Sequence, residues 1–323
     1  MAGTSMKSPR KPWPRATPHM SQNQNTIAVT GATGQLGREI CRQLGPAAEP
    51  LPRQQLDLTQ PAMIRDVLET LRPEVVINCA AWTAVDAAER EPDACRLVNA
   101  AAVEQLAAAC NAIDAVLVQV STDYVFGRDT HRRSPYAETD ATGPVNEYGA
   151  SKLAGEQAAA TAARHLIVRT CGLYSAGPDG PVRGRNFADT MLTLAAERDE
   201  LKIVADQHCT PSFVPDVAQG ILRLLARDAT GLFHLVNSGS TTWYGFASEL
   251  FRAAGIDLTL KPIPTSDYPT PARRPSYSVL DTAKFAATTG SRTPSWQSGI
   301  AAYLRANPSL SPLTEGTPCS QSS

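Results

Sequence analysis

Tyr148 and Lys152 stand four positions apart in the stretch Asn146-Glu-Tyr-Gly-Ala-Ser-Lys-Leu-Ala-Gly-Glu156. On a helix that spacing puts both side chains on one face, the ammonium beside the phenol. A free tyrosine has a pKa of roughly 10. A neighbouring cation favours the phenolate and moves the group toward proton transfer near neutrality. The spacing also arises by chance on a solvated helix, so it needs support. Gly31-Ala-Thr-Gly-Gln-Leu-Gly37 follows one apolar run, and Ser121-Thr-Asp-Tyr-Val-Phe-Gly127 follows another. A ketone accepting hydride builds negative charge on its oxygen. Tyr148 could supply the proton there, Thr122 a polarising hydroxyl, and Lys152 the charge that adjusts the tyrosine.

The spacing of Gly31, Gly34 and Gly37 is that of a strand-to-helix turn holding a dinucleotide. The first glycine allows the tight turn. The second lets backbone N–H groups approach a pyrophosphate at the helix N-terminus, and the third permits close helix packing. About 20 residues on, an acid would meet the ribose 2′-hydroxyl of NAD. Here the run is Leu51-Pro-Arg53, without an acid, and Arg53 suits a 2′-phosphate. NADPH is therefore expected, with NADH as the second choice. Asp57 is placed to accept from the adenine amino group, or is an ordinary loop aspartate. Asn78-Cys-Ala-Ala-Trp-Thr83 brings small Ala80 and Ala81 against the ribose and nicotinamide, with the Thr83 hydroxyl near a substrate.

These segments need a frame. Residues 26–30, 74–79, 115–120, 165–169 and 231–236 read as strands; 34–44, 61–71, 93–111, 146–163, 187–198, 214–226 and 243–254 read as helices. Alternation of this kind predicts an α/β fold: a doubly wound parallel sheet (Rossmann) with a smaller C-terminal substrate-binding lobe. We expect a disordered basic extension over 1–24, the dinucleotide-binding domain over 25–170, mainly a substrate-binding lobe over 171–306, and a disordered polar tail over 307–323.

Composition agrees with a soluble enzyme. The chain has 323 residues, 42% of them hydrophobic, and a net charge of −1, which argues against a general nucleic-acid binder. No apolar run approaches the roughly 20 residues of a membrane span. Seven cysteines (Cys41, Cys79, Cys95, Cys110, Cys171, Cys209, Cys319) are scattered without a Cys-x-x-Cys pair. Neither a zinc site nor a disulfide framework is indicated, and a reducing cytoplasm is the simplest setting. His208-Cys209 lacks further ligands at suitable spacing, so no metal is assigned.

With these residues in place, the chain resembles the extended short-chain dehydrogenase/reductases, and within them the dTDP-4-dehydrorhamnose reductases, over roughly residues 26 to 305. Besides the segments above, the marks are Ala84-Val-Asp-Ala-Ala-Glu-Arg-Glu-Pro92, Asn186-Phe-Ala-Asp-Thr-Met191, Gly231-Leu-Phe-His-Leu235 and Pro269-Thr-Pro-Ala-Arg-Arg-Pro275. The resemblance implies NAD(P)H-dependent reduction of the 4-keto group of dTDP-4-dehydro-β-L-rhamnose to dTDP-L-rhamnose. It makes Thr122, Tyr148 and Lys152 the catalytic triad and Thr83 and Asp123 sugar contacts. Thr33, Gly34, Gln35, Leu36, Asp57, Leu58, Ala81 and Thr83 would line the cofactor. Asn186, Arg273 and Arg274 are candidates for holding the nucleotide sugar. A homodimer is compatible with it. Some family members hold magnesium at a dimer contact through acids of the first helix; Glu39 stands there alone.

Two departures matter. Gly172 replaces a tryptophan common in the family, and Asp206-Gln-His-Cys-Thr-Pro211 differs from its small-residue version. A wider sugar pocket is expected. Tyr124 stands where related dehydratases carry a glutamate, which argues against water elimination. The alternatives are another NDP-sugar ketoreductase or epimerase, and a non-catalytic subunit like the regulatory partner of methionine adenosyltransferase.

Overall fold

Four β-branched or apolar runs, Ile27–Thr30, Val75–Asn78, Val116–Thr122 and His165–Thr170, become strands of one sheet. The computed structural model describes residues 26–177 and 185–307. In chain order, β1 (Ile27–Thr30), α1 (Gln35–Leu44), β2 (Ala48–Leu51), α2 (Pro61–Leu71) and β3 (Val75–Asn78) come first. Then follow α3 (Val85–Ala88), α4 (Pro92–Arg96), α5 (Ala102–Ile113), β4 (Val116–Thr122), α6 (Glu147–Ala159) and β5 (His165–Thr170). Beyond these lie β6 (Leu173–Tyr174), α7 (Phe187–Ala195), β7 (Glu200–Val204), β8 (His208–Cys209), β9 (Ser212–Phe213) and α8 (Val214–Leu225). The described chain closes with β10 (Gly231–His234), β11 (Thr241–Thr242), α9 (Trp243–Ala254), β12 (Thr259–Ile263), α10 (Ala283–Thr289) and α11 (Trp296–Arg305).

The main sheet has the order β10-β5-β4-β3-β1-β2, and every pairing in it is parallel. The chain runs from β1 outward to β2, then returns to β3 on the other side of β1. That reversal opens a crevice at the C-terminal ends of β1 and β3, where open α/β sheets bind ligands. Strand periodicity sends alternate side chains to opposite faces. Ile27, Val29, Val75 and Ile77 pack with α1 and α8, whereas Ala28, Val76 and Leu117 pack with α2 and α5.

The single helix expected over 93–111 is interrupted by a π-helical turn at Leu97–Ala101. The extra residue turns Asn99 inward. Its carboxamide accepts from the Trp82 backbone N–H at 2.9 Å and donates to the Trp82 carbonyl at 3.0 Å and to Ser151 Oγ at 3.0 Å. An inward asparagine thus ties the end of the β3 loop to the helix bearing Tyr148.

Three two-stranded pairs (β11-β8, β12-β7, β6-β9) and helices α7, α9 and α11 surround a second core containing Tyr174, Phe213, Phe246, Trp296 and Tyr303. Residues beyond 170 do not all belong to it. The chain returns to the main sheet through α8, β10 and Phe285 of α10, which fill the core beneath β1 and β4. Asn307, expected to begin the tail, is buried and donates from Nδ2 to the Tyr303 carbonyl. The expected extension at 1–24 and tail residues 308–323 lie outside the described residues.

Candidate active site

Helix α6 is fixed at its start and its middle. Asn146 caps it: Oδ1 accepts from Gly149 N–H at 2.7 Å, and Nδ2 donates to the Arg273 carbonyl at 2.7 Å. One helical turn beyond Lys152, the Glu156 carboxylate takes both Arg169 arms at 2.8 and 2.7 Å and the Ser121 hydroxyl at 2.5 Å. Such a bidentate pair specifies direction as well as distance. Removing one partner of a buried pair costs about 3–5 kcal/mol, because a lone charge remains. Strands β4 and β5 therefore hold α6 by a group that sits on the helix itself.

That clamp brings Thr122, Tyr148 and Lys152 together. Thr122 ends β4, buried, with its hydroxyl beside the Tyr148 phenol and donating to Asp123. The Thr122 hydroxyl also accepts from the Tyr124 N–H at 3.2 Å. The Tyr124 ring stands edge-on to Tyr148, centroids 5.9 Å apart. Lys152 is buried and donates from Nζ to the Val120 carbonyl at 2.6 Å. Burial pulls its ammonium down to about 8, against the opposing pull of Glu156.

The expected lowering of the Tyr148 pKa by Lys152 is not what this geometry produces. Burial raises the phenol well above its ordinary value, and the neighbouring Thr122 hydroxyl only moderates the rise. The lysine's hydrogen bond goes to Val120. Tyr148 thus keeps its proton at neutral pH.

Asp123 lies behind Thr122. It is buried, accepting at Oδ1 from the Thr122 hydroxyl at 3.2 Å and at Oδ2 from Ser278 at 2.6 Å. Burial pushes its carboxyl up to about 6. Its oxygens face protein groups, so a sugar contact by Asp123 has to displace one of them.

The triad opens on a cleft of ≈ 810 Å³. One wall carries Gly31, Thr33, Gly34, Gln35, Leu36 and Gly37, and another carries Ala80, Ala81 and Thr83. Gly31 has φ 63°, and a Cβ there would lie 2.7 Å from the Ala80 backbone N, so only glycine fits. Arg38, Lys152 and Arg185 line the cleft, and among the described residues no acid does. A helix N-terminus, a bare backbone cradle and three cations suit a dinucleotide's phosphates.

Other expected residues lie elsewhere. Arg53 and Asp57 share a separate depression of ≈ 350 Å³ with Gln54, Gln60 and Met63. Asp57 Oδ1 accepts from the Thr59 N–H at 2.9 Å and hydroxyl at 2.8 Å, which together hold its carboxyl below the usual range. The Leu58 side chain is part of the core. Asn186 caps α7 through the Asp189 N–H and donates to Gln35 at 3.0 Å. Arg274 spans Asp86 at 2.7 and 2.9 Å, while Arg273 is exposed. Among the described residues no group of three His, Cys, Asp or Glu side chains could hold a metal.

Sequence reasoning passed over Arg38, Arg185, Thr170 and Glu156. Arg38 carried a usable signal, a cation directly after the third glycine of the turn. The others depend on contacts between distant segments.

The match to known proteins is near full length. Residues 25–308 fit the family model described as the RmlD substrate binding domain. The chain belongs to that family. Members similar to it include a dTDP-4-dehydrorhamnose reductase of Burkholderia thailandensis, 42% identical over 86% of this chain and 98% of the relative. The Escherichia coli K12 protein of the same name is 41% identical over 86% of this chain and 96% of its own. Among solved structures, the dTDP-4-dehydrorhamnose reductase of Clostridium acetobutylicum superposes with a TM-score of 0.82 at 40% identity, covering 87% of this chain and 98% of that one. The Bacillus anthracis reductase, solved in complex with NADP, also gives 0.82, at 35% identity over 87% and 99% of the two chains. In this RmlD family member the glycine cradle and Tyr148 meet at one cleft.

Proposed function

We infer that the protein is an NADPH-dependent oxidoreductase that reduces the 4-keto group of dTDP-4-dehydro-β-L-rhamnose, giving dTDP-L-rhamnose. The observation that carries this reading is the Thr122–Tyr148–Lys152 cluster, set at the glycine cradle of a chain about 40% identical to such reductases over most of its length. The cofactor, when bound, supplies the hydride. Tyr148, kept protonated by burial, gives its proton to the ketone oxygen as charge develops there. The Thr122 hydroxyl is near enough to the phenol to share that oxygen. Lys152, still largely cationic at neutral pH, stabilises the phenolate left behind. One hydride and one proton convert the ketone to the alcohol. Tyr148 must then regain its proton before the next turnover.

Several finer parts belong to the same proposal. Thr83, lining the cleft, contacts the sugar. Exposed Arg53, only 3.4 Å from Asp57 Oδ2, can swing to a 2′-phosphate, and Asp57 meets the adenine. Arg273 is a candidate for the substrate's phosphates, whereas Arg274 must first leave Asp86. Residence in the cytoplasm rests on the cysteine usage and a homodimer on the family resemblance; no helix among the described residues is long and apolar enough to cross a membrane.

The deciding experiment follows NADPH oxidation with dTDP-4-dehydrorhamnose and identifies the product by mass and NMR. Turnover of other 4-keto sugar nucleotides but not this one would leave only the reductase class. Comparing NADPH and NADH dissociation constants for wild type and Arg53→Ala tests the 2′-phosphate contact, which requires a loss of selectivity in the variant.

A further inference from the structure

Thr170 ends β5 directly beside Thr122 at the end of β4, and the two are register partners. Register partners on parallel strands point to the same face of the sheet, about 4.8 Å apart. Their hydroxyls are in different situations. Thr122 Oγ1 already engages Asp123 and the Tyr124 N–H. Thr170 Oγ1 is buried and has no hydrogen-bond partner among the described residues, although Thr170 lines the cleft. Leaving a buried hydroxyl unpaired costs about 1–3 kcal/mol. Valine would fill the same space without that cost. A hydroxyl here needs an outside partner.

The position narrows the choice. Thr122 and Tyr148 mark where the ketone oxygen sits, so the hydride-bearing ring carbon must lie next to it. On a nicotinamide ring the carboxamide is attached to the adjacent carbon. A group one strand away from Thr122 is therefore at the right separation to meet it. Thr170 is also only 5% exposed, so the group that binds deepest in the cleft reaches it. That group is the cofactor, seated against the Gly31 turn before the sugar lies over it. The carboxamide, with a carbonyl and an amine, pairs with a hydroxyl in either direction.

We propose that the Thr170 hydroxyl binds the nicotinamide carboxamide and so decides which face of the ring is turned to the sugar. This assignment rests on the proposed use of NADPH. Hydride leaves from one face of the ring, so a carboxamide held at one edge converts ring orientation into stereochemistry. Thr170 is in this role a cofactor-binding residue, placed by the β4–β5 register rather than by any local motif.

The test compares wild type, Thr170→Val and Thr170→Ser. Dissociation constants are measured by fluorescence titration for NADPH and for 2′-phospho-ADP-ribose, which lacks the nicotinamide. Loss of one hydrogen bond should weaken NADPH roughly 3- to 12-fold in the valine variant. Binding of 2′-phospho-ADP-ribose should be unaffected, and serine should restore NADPH affinity. Deuterium transfer from each 4-deuterated NADPH should lose facial selectivity in the valine variant. Equal NADPH affinity in wild type and Thr170→Val overturns the assignment. So does an equal loss for both ligands, which indicates packing damage. A raised KM for the sugar nucleotide with unchanged NADPH binding also overturns it and gives the hydroxyl to the substrate. Failure of wild type to bind NADPH would instead overturn the proposed function.

Discussion

Asn186 donates from Nδ2 to Gln35 Oε1 at 3.0 Å, joining the cap of α7 to the first residue of α1 across 151 positions of chain. The same Gln35 oxygen accepts from Ser175 N and Oγ at 3.1 Å each, and Nε2 donates to the Arg185 carbonyl at 3.3 Å. Gln35 immediately follows Gly34 of the phosphate turn. One side chain therefore ties the cofactor cradle to the segment carrying Arg185.

Gln35→Ala should leave the Ser175 N–H without its partner, worth about 1–3 kcal/mol when not recovered by water, and the Asn186 amide with only the Ser175 carbonyl. We expect a lower Tm and a several-fold weaker NADPH affinity. Differential scanning calorimetry and NADPH titration check both. A variant matching wild type in both would show that the bridge carries nothing.

Tyr148→Phe removes the proton donor and keeps the ring against Tyr124. Turnover should fall on the order of 10²- to 10⁴-fold, with much smaller effects on NADPH affinity. Steady-state kinetics with a parallel binding titration separates the two. Wild-type turnover in the variant would end the proposed role.

The buried carboxyl of Asp123 predicts a pH dependence of stability. Its folded value is about 6 against a reference of 3.8, so the unfolded chain gives up the proton first. The associated stability is present below the reference value and is lost as pH rises to about 6. The loss amounts to roughly 3 kcal/mol. Asp123→Asn lacks this term, so its Tm should gain on wild type between about pH 4 and pH 6, then hold a constant offset. Parallel Tm curves across that range would contradict the burial argument.

Gly172 was expected to widen the sugar pocket. The structure points the other way. Gly172 has φ 49°, and a Cβ would stand 3.1 Å from Trp243 Cη2 and 3.2 Å from Pro211 Cα. The Trp243 indole already occupies that space, while Tyr174 is in the core and Trp82 donates to the Ala84 carbonyl. Gly172→Trp should therefore lose about 1–3 kcal/mol of stability and gain no substrate affinity. Thermal unfolding and KM for the sugar nucleotide test it; a lower KM at unchanged Tm would refute the packing argument.

The glycine turn, the Tyr148–Lys152 spacing and the alternation of strands and helices were legible because each is local. Three-residue glycine intervals, a four-residue helical interval and β-branched runs are written in neighbouring positions, and backbone sterics turn them into structure directly. Tertiary packing decided the rest. Arg274 reaches Asp86 and Asn186 reaches Gln35 through contacts between segments far apart in sequence. The same holds for charge. Sequence placed a cation near a phenol and predicted a lowered pKa, whereas the atoms that desolvate Tyr148 come from several elements and raise it. Thr170 was one residue of a strand until the β4–β5 register set it beside Thr122 with no hydrogen-bond partner among the described residues. Spacing along a chain determines which groups can share a helix face or a turn; desolvation and unpaired polar atoms depend on everything that packs around them.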